Sequence, residues 1–117
     1  MNAGRLDTRV RIERATESVS STGAVVKTWA TLATVWGGVR YMRGREVEAA
    51  SQVFDGADVM VTVRAGGEGG KVHETDRLVR VGDGEVYEVR GVMPVPGNRP
   101  QYYELYSTVR RDKVAAS

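Results

Sequence analysis

Cysteine is absent from this 117-residue chain, which removes disulfide frameworks, thiolate metal sites and cysteine nucleophiles together. Histidine occurs once, at His73, and a hydrolytic zinc site normally draws on several imidazole or thiolate ligands, so neither a metal nor any other cofactor is expected. No apolar run approaches the roughly 20 residues of a membrane-spanning helix. Met1-Asn2-Ala3-Gly4-Arg5 leads into no apolar stretch of the kind a signal or transit peptide carries. The expectation is a soluble protein with no membrane partner, used in the cytoplasm where it is made or built into something assembled there. A large excess of one charge is also missing: 17 basic residues face 15 acidic ones, interspersed along the chain, which argues against a strongly cationic DNA coat. What the chain does have is arginine, which supplies 14 of those basic residues and suits planar contacts with carboxylate or phosphate. The length allows one domain, residues 1–117, and not two ordinary ones.

Alternation is the main structural signal. Thr8 to Arg14 sets Val10 and Ile12 between Arg9, Arg11 and Glu13, the period-two pattern of a half-buried strand. Ala15 to Gly23 is rich in serine and threonine and reads as a polar loop. Val25 to Tyr41 reads as a long strand, with a bend or bulge at Gly37-Gly38. In Gly44 to Phe54, Val47, Ala50 and Phe54 fall at helical spacing, Glu46 and Glu48 occupy the first turn, and Asp55-Gly56 can end the segment, giving a short helix or a mobile loop. Val59, Val61 and Val63 mark another strand, followed by Gly66-Gly67-Glu68-Gly69-Gly70, read as flexible. Arg77 to Val81 and Glu85 to Val92, joined by Gly82-Asp83-Gly84, form a hairpin in which Asp-Gly accommodates positive φ. Pro94, Pro96 and Pro100 punctuate the next connection, Gln101 to Arg110 is a last strand, and residues 111–117 are expected to fray. The fold class that follows is mostly β: a small barrel or sandwich of five to six strands, with one short helix or long loop between the second and third.

Candidate chemistry is thin. Gly70-Lys71 resembles the end of a phosphate-binding loop, but Ala65 stands where its first glycine belongs and Val72 where its hydroxyl residue belongs. His73, Glu74 and Asp76 form the cluster that contains the histidine, and the carboxylate pairs Glu46/Glu48 and Glu74/Asp76 could serve acid–base work. Nothing around them signals desolvation, so they read as surface charge. Ser20-Ser21 has no identifiable base. No enzyme is expected. Trp29, Trp36, Tyr41, Tyr87, Tyr102, Tyr103 and Tyr106 could stack single-stranded bases on a small barrel, but the positive groove such binding needs is not announced, and they read as core or subunit contact.

The order of short motifs from Gly4 to Val109 resembles the phage head-tail joining, or head-closure (stopper), family. It runs from Gly4 and Leu6 ahead of Arg9-Val10-Arg11-Ile12, through Gly23 and Trp29, to Thr34-Val35-Trp36. Gly44-Arg45-Glu46 and the valine strand ending at Arg64 follow, then Asp76-Arg77-Leu78, Tyr87-Glu88-Val89 before Gly91-Val92, and Tyr103-Glu104-Leu105. Two departures concern loop geometry: Gly37-Gly38 where an alanine is usual after the second tryptophan, and Ala65-Gly66 where an aromatic or basic residue is usual.

The resemblance implies a small β-barrel with a long excursion between its second and third strands. It implies a structural virion protein of a tailed bacteriophage, located at the head-tail interface and assembled in the bacterial host cytoplasm. Its partners would be a homo-oligomeric ring, six-fold in preference to twelve-fold, a portal-adaptor connector on the head side, and a tail terminator or tail tube on the other. Packaged double-stranded DNA would be contacted without sequence preference by a channel-facing loop of Arg40, Arg43, Gly44, Arg45 and Glu46. Subunit or neighbour-ring contacts are expected at Arg9, Arg11, Glu13, Glu85, Glu88 and Arg90, and a flexible docking loop at Gly66, Gly67, Gly69, Gly70 and Lys71. The alternatives are a tail-side completion or terminator protein, or a small barrel binding single-stranded nucleic acid.

Overall fold

The computed structural model describes residues 6–95 and 101–110. Among these described residues six strands appear in chain order: β1 (Thr8–Val19), β2 (Val25–Tyr41), β3 (Val59–Arg64), β4 (Arg77–Arg80), β5 (Val86–Pro94) and β6 (Tyr102–Arg110). One helix, α1 (Arg45–Val53), lies between β2 and β3, and a short 3₁₀ turn (Glu68–Lys71) between β3 and β4. All pairings are antiparallel and run β1-β2-β3-β6-β5-β4, with β4 returning to β1, so the sheet closes into a barrel. Closure removes the unpaired edges that an open sheet of this size would expose. The Pro96–Pro100 connection and the tail beyond Arg110, expected to fray, lie outside the described residues.

The barrel follows from where the valines fall. Val59, Val61 and Val63 point inward with Ile12, Leu78, Tyr87, Val89 and Leu105, all essentially inaccessible to solvent. Each fully buried aliphatic side chain contributes about 1.5–3 kcal/mol relative to exposure. Met60 and Thr62, on the outer face of β3, are buried as well. Met60 lies in one cross-strand row with Arg40 and Tyr106, and the segment carrying α1 covers that wall: Phe54 stacks on Tyr106 with ring centroids 5.2 Å apart. The interior also accounts for Gly37. A β-carbon there would stand 3.2 Å from the Thr62 carbonyl and 3.3 Å from methyl groups of Val10 and Val61.

Several details differ from the sequence reading. Ala15 to Val19, read as loop, continues β1 and pairs residue by residue with Val25 to Trp29. The register irregularity in β1·β2 falls at Ile12/Glu13 and not at the glycines; Gly37 pairs regularly with Thr8 on one side and Val63 on the other. Gly37 is thus the place where β2 leaves β1 and takes up β3. A second shift, between Val89 and Gly91, makes Arg90 the unpaired residue of β5, as in a β-bulge. The β4–β5 hairpin is present, but only its Gly84 takes a positive φ, +75°. The glycine run after β3 has a steric use that its composition did not reveal. Gly69 is buried, with room for no side chain against Val63 and the Arg64 carbonyl, and a β-carbon at Gly70 would overlap the Ala65 carbonyl.

Gly91 sets how α1 is held, because a β-carbon there would run into the Phe54 ring. No residue of α1 itself is buried, so Phe54 is its main anchor. The substitution Gly91→Ala is expected to unseat Phe54 and speed hydrogen exchange across residues 45–53, while amides of β3 and β6 keep their protection. Unchanged exchange in α1 would show that the helix is held by other means.

Candidate functional site

The α1 excursion leaves the barrel at Met42 and returns at Val59. Gly44 (φ +51°) starts the helix and Gly56 (φ +76°) follows it, both in the left-handed region that favours glycine. The segment expected as helix or loop is therefore a helix closed by Asp55-Gly56. Of its charged residues, Arg40 and Glu46 bind each other at 2.7 Å, both half exposed. Arg43 and Arg45 are exposed and form no ion pair among the described residues. Between α1 and the outer wall lies a groove of about 460 Å³, with a largely apolar lining that includes Met42, Ala49, Val53, Met93 and Pro94 beside the charged Arg40, Glu46 and Glu104.

At one mouth of the barrel, Tyr41 and Tyr87 share a polar cluster. Both phenols donate to the Glu85 carboxylate, the Tyr87 bond measuring 2.9 Å. Arg80 donates to Glu85 at 2.8 Å and to the Tyr41 hydroxyl at 2.9 Å. Burial pushes the Tyr87 phenol far above its ordinary value, assisted by its bonds to Tyr41 and Glu85. Burial raises Tyr41 too, and the Glu85 bond adds to it. Phenols held protonated this firmly are neither nucleophiles nor bases near neutrality. The cluster closes the barrel end by tying β2 to β5. Below the ordinary tyrosine pKa of about 10 its contribution is fully present. Above it the unfolded chain releases protons that the folded chain keeps, and stability falls as pH rises. Phenolate absorbance missing from Tyr87→Phe should therefore appear together with alkaline unfolding; reversible ionisation of Tyr87 in the folded protein would contradict this.

Further ion pairs sit deeper than the sequence suggested. Asp76, read as surface charge, is buried; its carboxylate accepts two bonds from Arg14 at 2.9 Å and the His73 backbone N–H at 2.8 Å. Those bonds raise the Arg14 pKa. Glu13 is also buried, accepting Arg77 at 2.7 Å and Arg11 at 2.8 Å, and Trp29 lies over the Arg77 guanidinium at 4.2 Å. His73 and Glu74 remain exposed, and no metal-binding group of side chains exists among the described residues. Every buried side-chain nitrogen or oxygen there has a hydrogen-bond partner. Arrangements of this kind fix a fold.

A family model described as phage head completion protein matches residues 1–110, nearly the whole chain. The chain belongs to the phage head completion protein family. It is accordingly a structural phage protein of the head-tail interface, in a family not known for catalysis. No curated protein matches it at significant similarity. Among solved structures, the solution structure of protein SF1141 from Shigella flexneri 2a is similar in fold, with a TM-score of 0.71 at 23% identity over 97% of this chain and 100% of that one.

In this head completion protein the residues expected at subunit contacts have different environments. Arg9 is exposed, its guanidinium 4.9 Å from the Trp36 ring centre. Glu88 and Arg90 pair with each other at 3.3 Å, half exposed. Glu13, expected at such a contact, is enclosed by Arg11 and Arg77, and most of Glu85 is taken up by the tyrosine cluster. Of the expected docking loop, Gly66 and Gly67 have open space around them, Lys71 pairs with Glu68 at 3.1 Å, and Gly69 and Gly70 are packed against backbone. The aromatic residues divide similarly. Tyr87 is core, whereas Trp36 and Tyr41 are 52% and 44% exposed, so Trp36 marks outer surface that composition alone did not identify.

Proposed function

We propose that this protein assembles in the host cytoplasm as a closed ring, six-fold in preference to twelve-fold, beneath the portal-adaptor connector. There it retains packaged DNA and offers the surface on which the tail terminator or tail tube docks. The observation that carries the reading is the α1 excursion: an element outside the barrel wall, bounded by Gly44 and Gly56, presenting Arg43 and Arg45 without ion-pair partners among the described residues. A ring repeats those cations around its axis and concentrates positive potential where DNA ends. Contacts to phosphate of this sort hold DNA without reading its sequence. A nearly neutral subunit, +2 overall, can thus act on DNA only when assembled. Weak affinity for free oligonucleotides is the corresponding expectation, and it separates this reading from a single-strand-binding barrel.

The reading is tested with emptied heads purified from a phage lacking this gene, into which DNA is packaged again in vitro with and without the protein. Added protein should dock on the connector, protect the packaged DNA from nuclease and make the heads competent for purified tails. Failure to bind such heads, with binding to isolated tails instead, would transfer the protein to the tail side.

A further inference from the structure

Beyond the barrel, β1 and β2 continue as a two-stranded ribbon. Residues 14–19 and 25–30 pair only with each other, since β4 contacts β1 through Val10 to Glu13 and β3 contacts β2 from Gly37 onward. Isolated two-stranded hairpins are marginal in water, yet this one exposes Val19 at 73% and Val25 at 66%, directly opposite each other in the last pair before the turn at residues 20–24 that forms its end. Residues two apart share a face, so the next pair on that face is Glu17 opposite Lys27, followed by Ala15 opposite Trp29. One face thus reads apolar tip, then an acid–base pair, then an aromatic.

The α1 groove offers partners of the matching kinds. Its lining combines the apolar Met42, Ala49, Val53, Met93 and Pro94 with the charged Arg40, Glu46 and Glu104. Val53 and Met93 are, with the ribbon valines, among the large apolar side chains left exposed. A ribbon cannot fill the groove of its own chain. Tip and groove lie near opposite ends of β2, and the 15 steps from Val25 to Arg40 extend over roughly 50 Å at 3.3 Å per residue.

We propose that the ribbon tip of one copy seats in the α1 groove of the next, placing Val19 and Val25 against Val53 and Met93, Lys27 toward Glu104 and Glu17 toward Arg40. The contact joins two different faces, so repetition around a closing rotation generates a ring. It also places the ribbon against the excursion assigned to DNA, so that neighbouring copies position each other's α1. This inference rests on the ring reading above and supplies its lateral contact.

The absence of cysteine permits a clean test. Chains carrying Val25→Cys and Val53→Cys together are supplied to the phage in place of the natural protein, and purified particles are treated with a short flexible bis-maleimide. A ladder of covalent multimers that requires both cysteines, and that is lost when Val19→Glu and Lys27→Glu are added, is the expected result. Circular dichroism of the purified variants separates lost contact from lost fold. Dimers from Val25→Cys alone would mean tip-to-tip pairing and overturn the proposal. Infectious particles that contain the double-cysteine protein but yield no ladder would overturn it too, while leaving head closure intact. Absence of the protein from particles would remove the ring reading on which it rests, and the proposal with it.

Discussion

Glu13→Ala is expected to destabilise the protein by about 3–5 kcal/mol, because it strands the Arg77 guanidinium inside the structure without its partner. The two side chains are each only 8% exposed and meet at 2.7 Å, so solvent screening gives little relief. For a chain of this size the loss corresponds to a fall in Tm on the order of 15 °C. Glu13→Gln keeps an acceptor and should cost less. The pair Glu13→Met with Arg77→Met should recover much of the deficit, since replacing both members of a buried ion pair by apolar groups is often near neutral. Thermal unfolding of the three variants checks the series. If alanine costs under about 1 kcal/mol, the pair behaves as an exposed one and the burial argument is wrong.

Arg43→Glu with Arg45→Glu should leave folding almost untouched and lower the yield of DNA-containing particles by about a hundredfold or more, given how steeply phosphate contacts contribute to affinity. Both side chains are exposed and bind no acidic partner among the described residues, so nothing in the barrel depends on them. Arg40 serves as the internal control: it pairs with Glu46, and Arg40→Gln should have the smaller effect on DNA. Particle counts by electron microscopy, together with nuclease sensitivity, separate loss of DNA from loss of assembly. Full heads in normal number from the double variant would remove these arginines from any role in retention.

Most of the barrel was legible because apolar residues recur at every second position along its strands. Val10 and Ile12, and the triplet Val59, Val61 and Val63, signal period two directly. Gly84 and Gly56 ended elements where expected. The ribbon was not legible for the opposite reason: from Thr16 to Ser18 and Val25 to Thr28 both faces meet solvent, so no hydrophobic alternation marks a strand. Buried charge escaped notice because its partners are remote, Glu13 finding Arg77 across 64 residues and Asp76 finding Arg14 across 62. Likewise Gly69, Gly70 and Gly91 are defined by what lies above them, and a glycine run in sequence looks the same whether it is a linker or a close contact. The arginines of the excursion were identifiable by residue type and position. Their environment follows only from α1 lying outside the wall with Phe54 as its anchor.

The most direct test of a head-closing role is the particle morphology left when the gene is deleted from its parent phage. Heads that have lost their DNA, accumulating beside complete and unattached tails, are the expected result. Heads that stay full while tails are missing or abnormal in length would place the protein on the tail side and contradict DNA retention by its ring.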